Sequence, residues 1–158
     1  MIGAEASDTS VVIAGPWDHE QVRQYLDDTT FPLRLACVAS DGFPRVVSLW
    51  YRYQQGSFYC VTHRDSKLTK LLRRNHKVGF EVSPNEPPYY GVRGQGLVTL
   101  AEQGGAAMLQ EHLQRYLGGT ESGLAQWLLS RAEEELLVQV QVTRMFSWDY
   151  RQRMEGAR

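Results

Sequence analysis

Ser66 and Lys67 stand where the chain changes period, with Lys70, Arg73 and Arg74 close behind, and these residue types suit the binding of an anion. Phe58-Tyr59-Cys60-Val61 reads as a strand and Thr62-His63-Arg64-Asp65 as a polar turn. Beyond it, Leu68, Leu71 and Leu72 keep one helical face apolar while the cations fall elsewhere. Such a junction brings backbone N–H groups, a hydroxyl and a lysine to one point, the ingredients of a phosphate seat. A capped surface helix with Asp65 or Ser66 as N-cap has the same pattern, so the helix alone leaves both readings open. Arg45 opens the run Arg45-Val46-Val47-Ser48-Leu49-Trp50, across a hairpin from the strand that feeds the helix. A guanidinium there is placed to join Ser66 and Lys67 on one anion, with a solvated strand-end charge as the competing reading.

Other chemistries find less support. His19, His63, His76 and His112 do not fall at metal-ligand spacings, and Cys37 and Cys60 are isolated, so no metal site is expected. The Gly-x-Ser-x-Gly elbow of a serine hydrolase is absent. Gly91-Val92-Arg93-Gly94-Gln95-Gly96 lacks the lysine of a nucleotide loop and lies within a strand. Glycines there permit either a bend at a barrel corner or close approach of a backbone or flat ligand.

The elements that must position these residues are mostly strands. The 158 residues are 42% hydrophobic and 22% charged, which describes one globular domain with a substantial core. A net charge of −1 provides no whole-chain field to gather nucleic acid or an anionic membrane. No apolar run approaches membrane-spanning length, and Met1 to Gly15 has no basic stretch ahead of an apolar one. A cytoplasmic protein with two buried thiols is expected. Residues 1–15 are expected to be a flexible N-terminus, 16–150 the domain, and 151–158 a tail.

Pro16-Trp17-Asp18 opens a helix to about Asp28. Strands follow at Leu33–Ser40, Arg45–Tyr53 and Ser57–Thr62; then the basic helix; then strands Val78–Ser83 and Tyr90–Glu102. Helices at Ala106–Leu117 and Ser122–Arg131 precede a last alternating strand, Leu136–Thr143, which Met145–Tyr150 extends. About six strands with antiparallel neighbours and helices inserted at two places make a closed or half-closed barrel, mainly β within the α+β class. Trp50 faces away from Tyr51 and Tyr53, so one aromatic face is left to a partner copy, unless helices 16–28 and 122–131 cover it.

The order Arg45-Val46-Val47-Ser48-Leu49-Trp50, Phe58-Tyr59-Cys60-Val61-Thr62, Ser66-Lys67 and Gly91-to-Gly96 resembles the pyridoxamine 5′-phosphate oxidase-like family, the FMN-binding split barrels. The likeness covers roughly residues 30–102, with a looser match of Arg144-Met145-Phe146-Ser147-Trp148-Asp149 to the closing segment. The resemblance implies a six-stranded antiparallel split β-barrel with flanking helices, homodimeric, with flavin in a cleft at the interface. By that resemblance Arg45 and Lys67 hold the phosphate, with Ser66 beside them. The backbone of Val46, Val47, Ser48 and Leu49 edges the ring, Trp50 ends that run, Cys60, Val61 and Thr62 line the next strand, and either Trp148 or the Gly91–Gly96 strand completes the cleft from the partner.

This chain departs from the family at three points. Gly91 stands where family oxidases often carry glutamine. The lysine is displaced by one position, so Lys70 shares or takes over the phosphate role. The tail lacks the Arg-Leu-x-Pro pattern of substrate binding, which argues against vitamin B6 oxidation. The resemblance implies an FMN-dependent oxidoreductase passing hydride between flavin and a small organic substrate or nicotinamide donor. A deazaflavin-dependent reductase, with Lys70, Arg73 and Arg74 along a longer acidic tail, is the alternative, followed by a non-enzymatic flavin- or haem-binding protein with His63 as axial ligand. No general acid or base is assigned; His63, Tyr89, Tyr90 and Trp148 are candidates near the pocket mouth.

Overall fold

The computed structural model describes residues 10–156. Its strands are β1 (Val12–Ala14), β2 (Leu33–Val38), β3 (Pro44–Leu49), β4 (Arg52–Gln54), β5 (Ser57–His63), β6 (Lys77–Val82), β7 (Tyr90–Ala101) and β8 (Glu135–Asp149). They form one sheet in the order β3-β2-β6-β7-β8-β5-β4, antiparallel throughout this path. The two ends of that order, β3 and β4, are consecutive in sequence, with only Trp50 and Tyr51 between them. Three peptide steps span at most roughly 11 Å. The sheet must therefore curl until its edges nearly meet, yet no ladder joins them. It is a barrel split along the β3/β4 seam.

That seam corrects the expectation of one strand over Arg45–Tyr53. The chain leaves one edge at Leu49 and joins the other at Arg52, so the expected strand is two. With β1 added, the sheet has eight strands among the described residues rather than six.

Alternation fills the barrel. Leu33, Leu35 and Cys37, then Phe58 and Cys60, then Phe80 and Val82, then Val138, Val140 and Met145 all point inward and are buried. At Gly94 a Cβ would lie 2.7 Å from the Phe80 ring and 2.3 Å from the Arg144 carbonyl oxygen. The glycine thus permits close approach of a backbone, one of the two readings of the glycine run.

Two helices plug the barrel. Helix α1 (His19–Asp28) starts at Asp18, which accepts from the Gln21 N–H while the Gln21 side chain caps Asp18 in return. Helix α2 (Lys67–Arg74) buries Leu68 and Leu72. Strand β6 begins just after α2 and ends at Val82, whose carbonyl accepts the Tyr25 hydroxyl of α1, so the helices close opposite ends. Helices α3 (Gly105–Leu117) and α4 (Gly123–Leu129) cover the outside of β5 through Leu109, Leu113 and Ala125.

The aromatic run does not form an exposed face. Tyr51 and Tyr53 lie in the barrel core against Phe58, and Trp50 stacks on Tyr116 of α3 at 5.3 Å. The covering comes from within the chain: α3 stacks Tyr116 on Trp50, Ala125 of α4 shares that cluster, and the end of α1 accepts the Tyr51 hydroxyl.

Within the stretch 1–15, β1 pairs in parallel with Arg144–Phe146, along the edge of β8 that β5 leaves free beyond Gln141. Val11 beside it is 3% exposed, so the strand is an integral part of the sheet. Residues 1–9 lie outside the described residues. A short helix, α5 (Arg151–Met154), follows β8. No described helix is long and apolar enough to cross a membrane.

Candidate functional site

Of the two possible caps, Ser66 starts α2. Its Oγ accepts from the Thr69 N–H at 3.1 Å and lies 2.8 Å from Thr62 Oγ1 and 3.0 Å from Thr69 Oγ1. Thr69 Oγ1 donates to the His63 carbonyl at 2.7 Å. Each hydroxyl has one proton, so the order is fixed: Thr62 donates to Ser66, Ser66 to Thr69, and Thr69 to His63. The Ser66 hydroxyl is committed to this chain, and the seat must act through cations and backbone.

The cations divide by pairing. Arg64 and Arg73 lie 3.2 and 3.9 Å from Glu102. Lys67, Lys70 and Arg74 are exposed and form no ion pair among the described residues. Spacings of three and four put these three on one helix face. Arg45 pairs with Cys37 in the β2–β3 ladder, and Cys37 pairs with Val78 next to the start of β6. Arg45 therefore opens on the barrel end that α2 closes. Its partner is Asp41 at 3.4 Å, with both side chains about half exposed. The Phe43 N–H, then Arg45, holds the Asp41 carboxyl below its usual range. A pair this exposed holds its guanidinium weakly, leaving it available to a ligand anion.

Strand β3 pairs only with β2 among the described residues, so its other edge presents free backbone donors and acceptors. Val46 and Ser48 face outward, while Val47 and Leu49 pack against the core. The β5 residues do not form a matching side-chain wall. Cys60 is fully buried, with its thiol pushed up by burial; Thr62 is turned to Ser66; Val61 lies under α3 and α4. Tyr116 stacks on one face of Trp50, which is partly buried. Trp148 pairs with Gly91 on β7, with the Arg93 guanidinium 5.6 Å over its ring.

His63 is fully engaged. Nδ1 accepts from the Asp65 N–H at 3.1 Å, so Nε2 carries the proton and donates to Glu134 at 2.6 Å. That bond holds the Glu134 carboxyl below its usual range. Neither nitrogen is open to a haem iron. At Gly91 a Cβ would lie 2.5 Å from the Val82 carbonyl, so the glutamine of the family pattern does not fit here. Among the described residues no three His, Cys, Asp or Glu side chains gather to hold a metal.

Sequence reasoning missed a cleft of ≈ 550 Å³ on the outer face of β2, β3, β6, β7 and β8. Arg34, Ala36, Val46, Gly79, Arg93 and Phe146 are among its walls. These side chains come from five strands, and only their register brings them together.

No protein-family model and no curated protein matches the sequence. Solved structures do. A conserved hypothetical protein of Mycobacterium tuberculosis aligns over 87% of this chain and 88% of its own, with a TM-score of 0.71 at 20% identity. An F420 reductase aligns over 77% and 94%, with a TM-score of 0.66 at 19% identity. A candidate pyridoxamine 5′-phosphate oxidase of Listeria innocua aligns over 80% and 94%, with a TM-score of 0.62 at 15% identity. The chain thus has the pyridoxamine 5′-phosphate oxidase-like split-barrel fold. It is a mainly antiparallel β protein with flanking helices.

Proposed function

We propose that this protein is a flavin-dependent oxidoreductase that holds FMN at the barrel end closed by α2. The carrying observation is that Arg45 opens on the end where Lys67 and Lys70 stand exposed without ion pairs among the described residues. Three cations and a helix start suit a phosphate, and the open β3 edge suits the hydrogen-bonding rim of a flat ring. The residues present therefore fit the group. Arg45 and Lys67 hold the phosphate with Lys70 in reserve, and the backbone of Val46–Leu49 edges the ring. Bound flavin supplies hydride transfer to or from a small organic substrate or nicotinamide donor. Cys60 and His63 take no part, one buried in the core and the other bound at both nitrogens.

The outer face of β2, β3, β6 and β7, uncovered among the described residues, supports a homodimer with the cofactor cleft between copies, as does exposed Val46 at its edge. A second reading, a 5-deazaflavin coenzyme with a longer acidic tail, draws on the stripe Lys67, Lys70 and Arg74. The F420 reductase among the structural neighbours favours it too. Side-by-side titration decides between them. Tighter binding of FMN supports the first reading and tighter binding of deazaflavin replaces it. A colourless protein that binds neither in calorimetry ends both.

A further inference from the structure

The barrel end opposite α2 holds a pocket of ≈ 460 Å³ between α1 and the C-terminal segment, away from Arg45 and Lys67. Three of its walls are aromatic. Trp17 and Tyr25 have ring centroids 4.9 Å apart, Tyr25 and Tyr90 5.9 Å, and Trp17 and Tyr90 6.4 Å. Two of these rings are anchored through their polar atoms. The Tyr25 hydroxyl donates to the Val82 carbonyl at 3.1 Å and the Trp17 indole N–H to Asp149 at 3.3 Å. The aromatic wall is thus preorganised.

The pocket already holds one cation against these rings. The Arg151 guanidinium lies 4.5 Å from the Tyr90 centroid, tethered to Asp149 by bonds of 2.9 and 2.6 Å. The opposite rim breaks a local rule. Helix α1 ends in Asp27 and Asp28 with no basic residue in its last turn, although the negative end of a helix disfavours carboxylates. Arg23 pairs with Asp27 at 2.8 Å. Asp28 meets only the neutral amide of Gln24, at 2.7 Å, among the described residues. Glu20 adds a second carboxylate to the rim, shared with Arg23. The Arg115 guanidinium answers the terminal carbonyls of α1, which leaves the Asp28 carboxylate as the rim charge with no ion pair among the described residues.

We propose that this pocket binds a small organic cation of the alkylammonium type, seated on Tyr90 and Tyr25 and balanced by Asp28, with Arg151 as its intramolecular competitor. Ring faces attract a cation through their quadrupole, and an N-methylated ammonium gives up little hydration on entering. Asp149 neutralises Arg151, so the charge left facing the cavity is that of the α1 carboxylates. This assignment is independent of the flavin reading.

Choline and its neutral isostere 3,3-dimethylbutan-1-ol are the probes, titrated into the full chain and followed by the N-methyl proton shift. Choline is expected to shift upfield and saturate, while the isostere does not. Asp28→Asn, an exposed change that spares the fold, should weaken choline roughly threefold or more. Tyr90→Leu should weaken it about tenfold, and Arg151→Ala should tighten it several-fold by freeing the Tyr90 face. Equal binding of the isostere, no saturable shift, or choline affinity unchanged in both Asp28→Asn and Arg151→Ala overturns the proposal.

Discussion

His112 Nε2 lies 3.1 Å from the Tyr59 carbonyl oxygen, and this single contact fixes the state of a fully buried imidazole. A carbonyl only accepts, so Nε2 carries the proton and Nδ1 is bare, with no partner among the described residues. Burial, with Arg115 nearby, lowers the His112 pKa from 6.5 to about 4. The native state thus favours the neutral ring more than the unfolded chain does. Its contribution is complete above pH 6.5 and is lost as pH falls toward 4. The shift corresponds to about 3 kcal/mol. Urea denaturation from pH 7.5 to 4 should show that loss, and His112→Gln, which keeps a donor without titrating, should flatten it. An unchanged slope in the variant removes His112 from the account.

Arg115 ties α3 to the end of α1. Its guanidinium donates to the carbonyls of Leu26 and Asp27 at 2.7 and 2.8 Å and also to that of Thr29. The Tyr51 hydroxyl shares its one proton between the Leu26 and Thr29 carbonyls, 3.0 and 3.2 Å away, from the core side. Arg115→Ala should cost about 2–4 kcal/mol, because it strands several carbonyls at once. Arg115→Lys should recover only part, since an ammonium lacks the planar fork. The urea midpoint reads both.

Features carried by local chemistry were legible in the sequence. The helices expected from Pro16, after the Asp65–Ser66 turn, over 106–117 and over 122–131 are all present, and the structure starts them at Asp18, Ser66 and Ser122 and ends the third at Gly118, each through contacts within a few residues. The Trp50–Tyr51 break was not legible, because the surrounding aromatics and β-branched residues read as one strand. The interruption comes from closing a sheet whose two edges are neighbours in sequence. Strand β1 was missed for the same kind of reason: three residues make no pattern, and the edge they cover lies some 130 residues away. At the candidate site, the cations of the proposed anion seat were visible as types and spacing. That Cys60 lies in the core and Val61 beneath a helix follows from alternation counted from an unknown register.

Gly91 offers a test of why the chain departs from the family pattern. A Cβ there would meet the Val82 carbonyl at 2.5 Å and the Ser83 Cβ at 2.8 Å. Gly91→Gln should lower stability by about 1–3 kcal/mol through forced backbone movement, whatever it does for a ligand. A melting temperature equal to that of the parent would mean that the β6–β7 turn yields freely.

Removal of Arg45 and Lys67 tests the anion seat by charge. Each single alanine variant should weaken FMN on the order of tenfold, from a charge-assisted contact of about 1.5–3 kcal/mol. Lys70→Ala separates the two lysines, and the larger loss identifies the one on the phosphate. Folding should be untouched, because all three side chains are exposed. Arg73→Ala is the control for a change of charge on the same helix, since Arg73 lies in its last turn, six residues beyond Lys67. Equal losses from Arg73→Ala and Lys67→Ala would reduce the seat to a diffuse basic surface.

The outer face of the barrel is the last test, because the aromatic strand no longer supplies an interface. Helices α3 and α4 cover β5, but nothing covers β2, β3, β6 and β7 among the described residues. Val46 is 66% exposed there, with Leu97 at 46% and Phe146 at 37%. Arg34, Glu81 and Arg93 lie on cross-strand positions beside them, so the face carries both charge signs and can complement itself. A two-fold contact places each substituted residue twice in one interface. Val46→Glu should therefore put two charged carboxylates where two apolar side chains met, and weaken association about tenfold or more. Light scattering at micromolar concentration should report twice the chain mass for the parent and a monomer for this variant. Leu124→Glu, on the exposed side of α4, should leave the dimer intact. A parent that is monomeric, or a dimer broken by Leu124→Glu and not by Val46→Glu, would move the interface off this face.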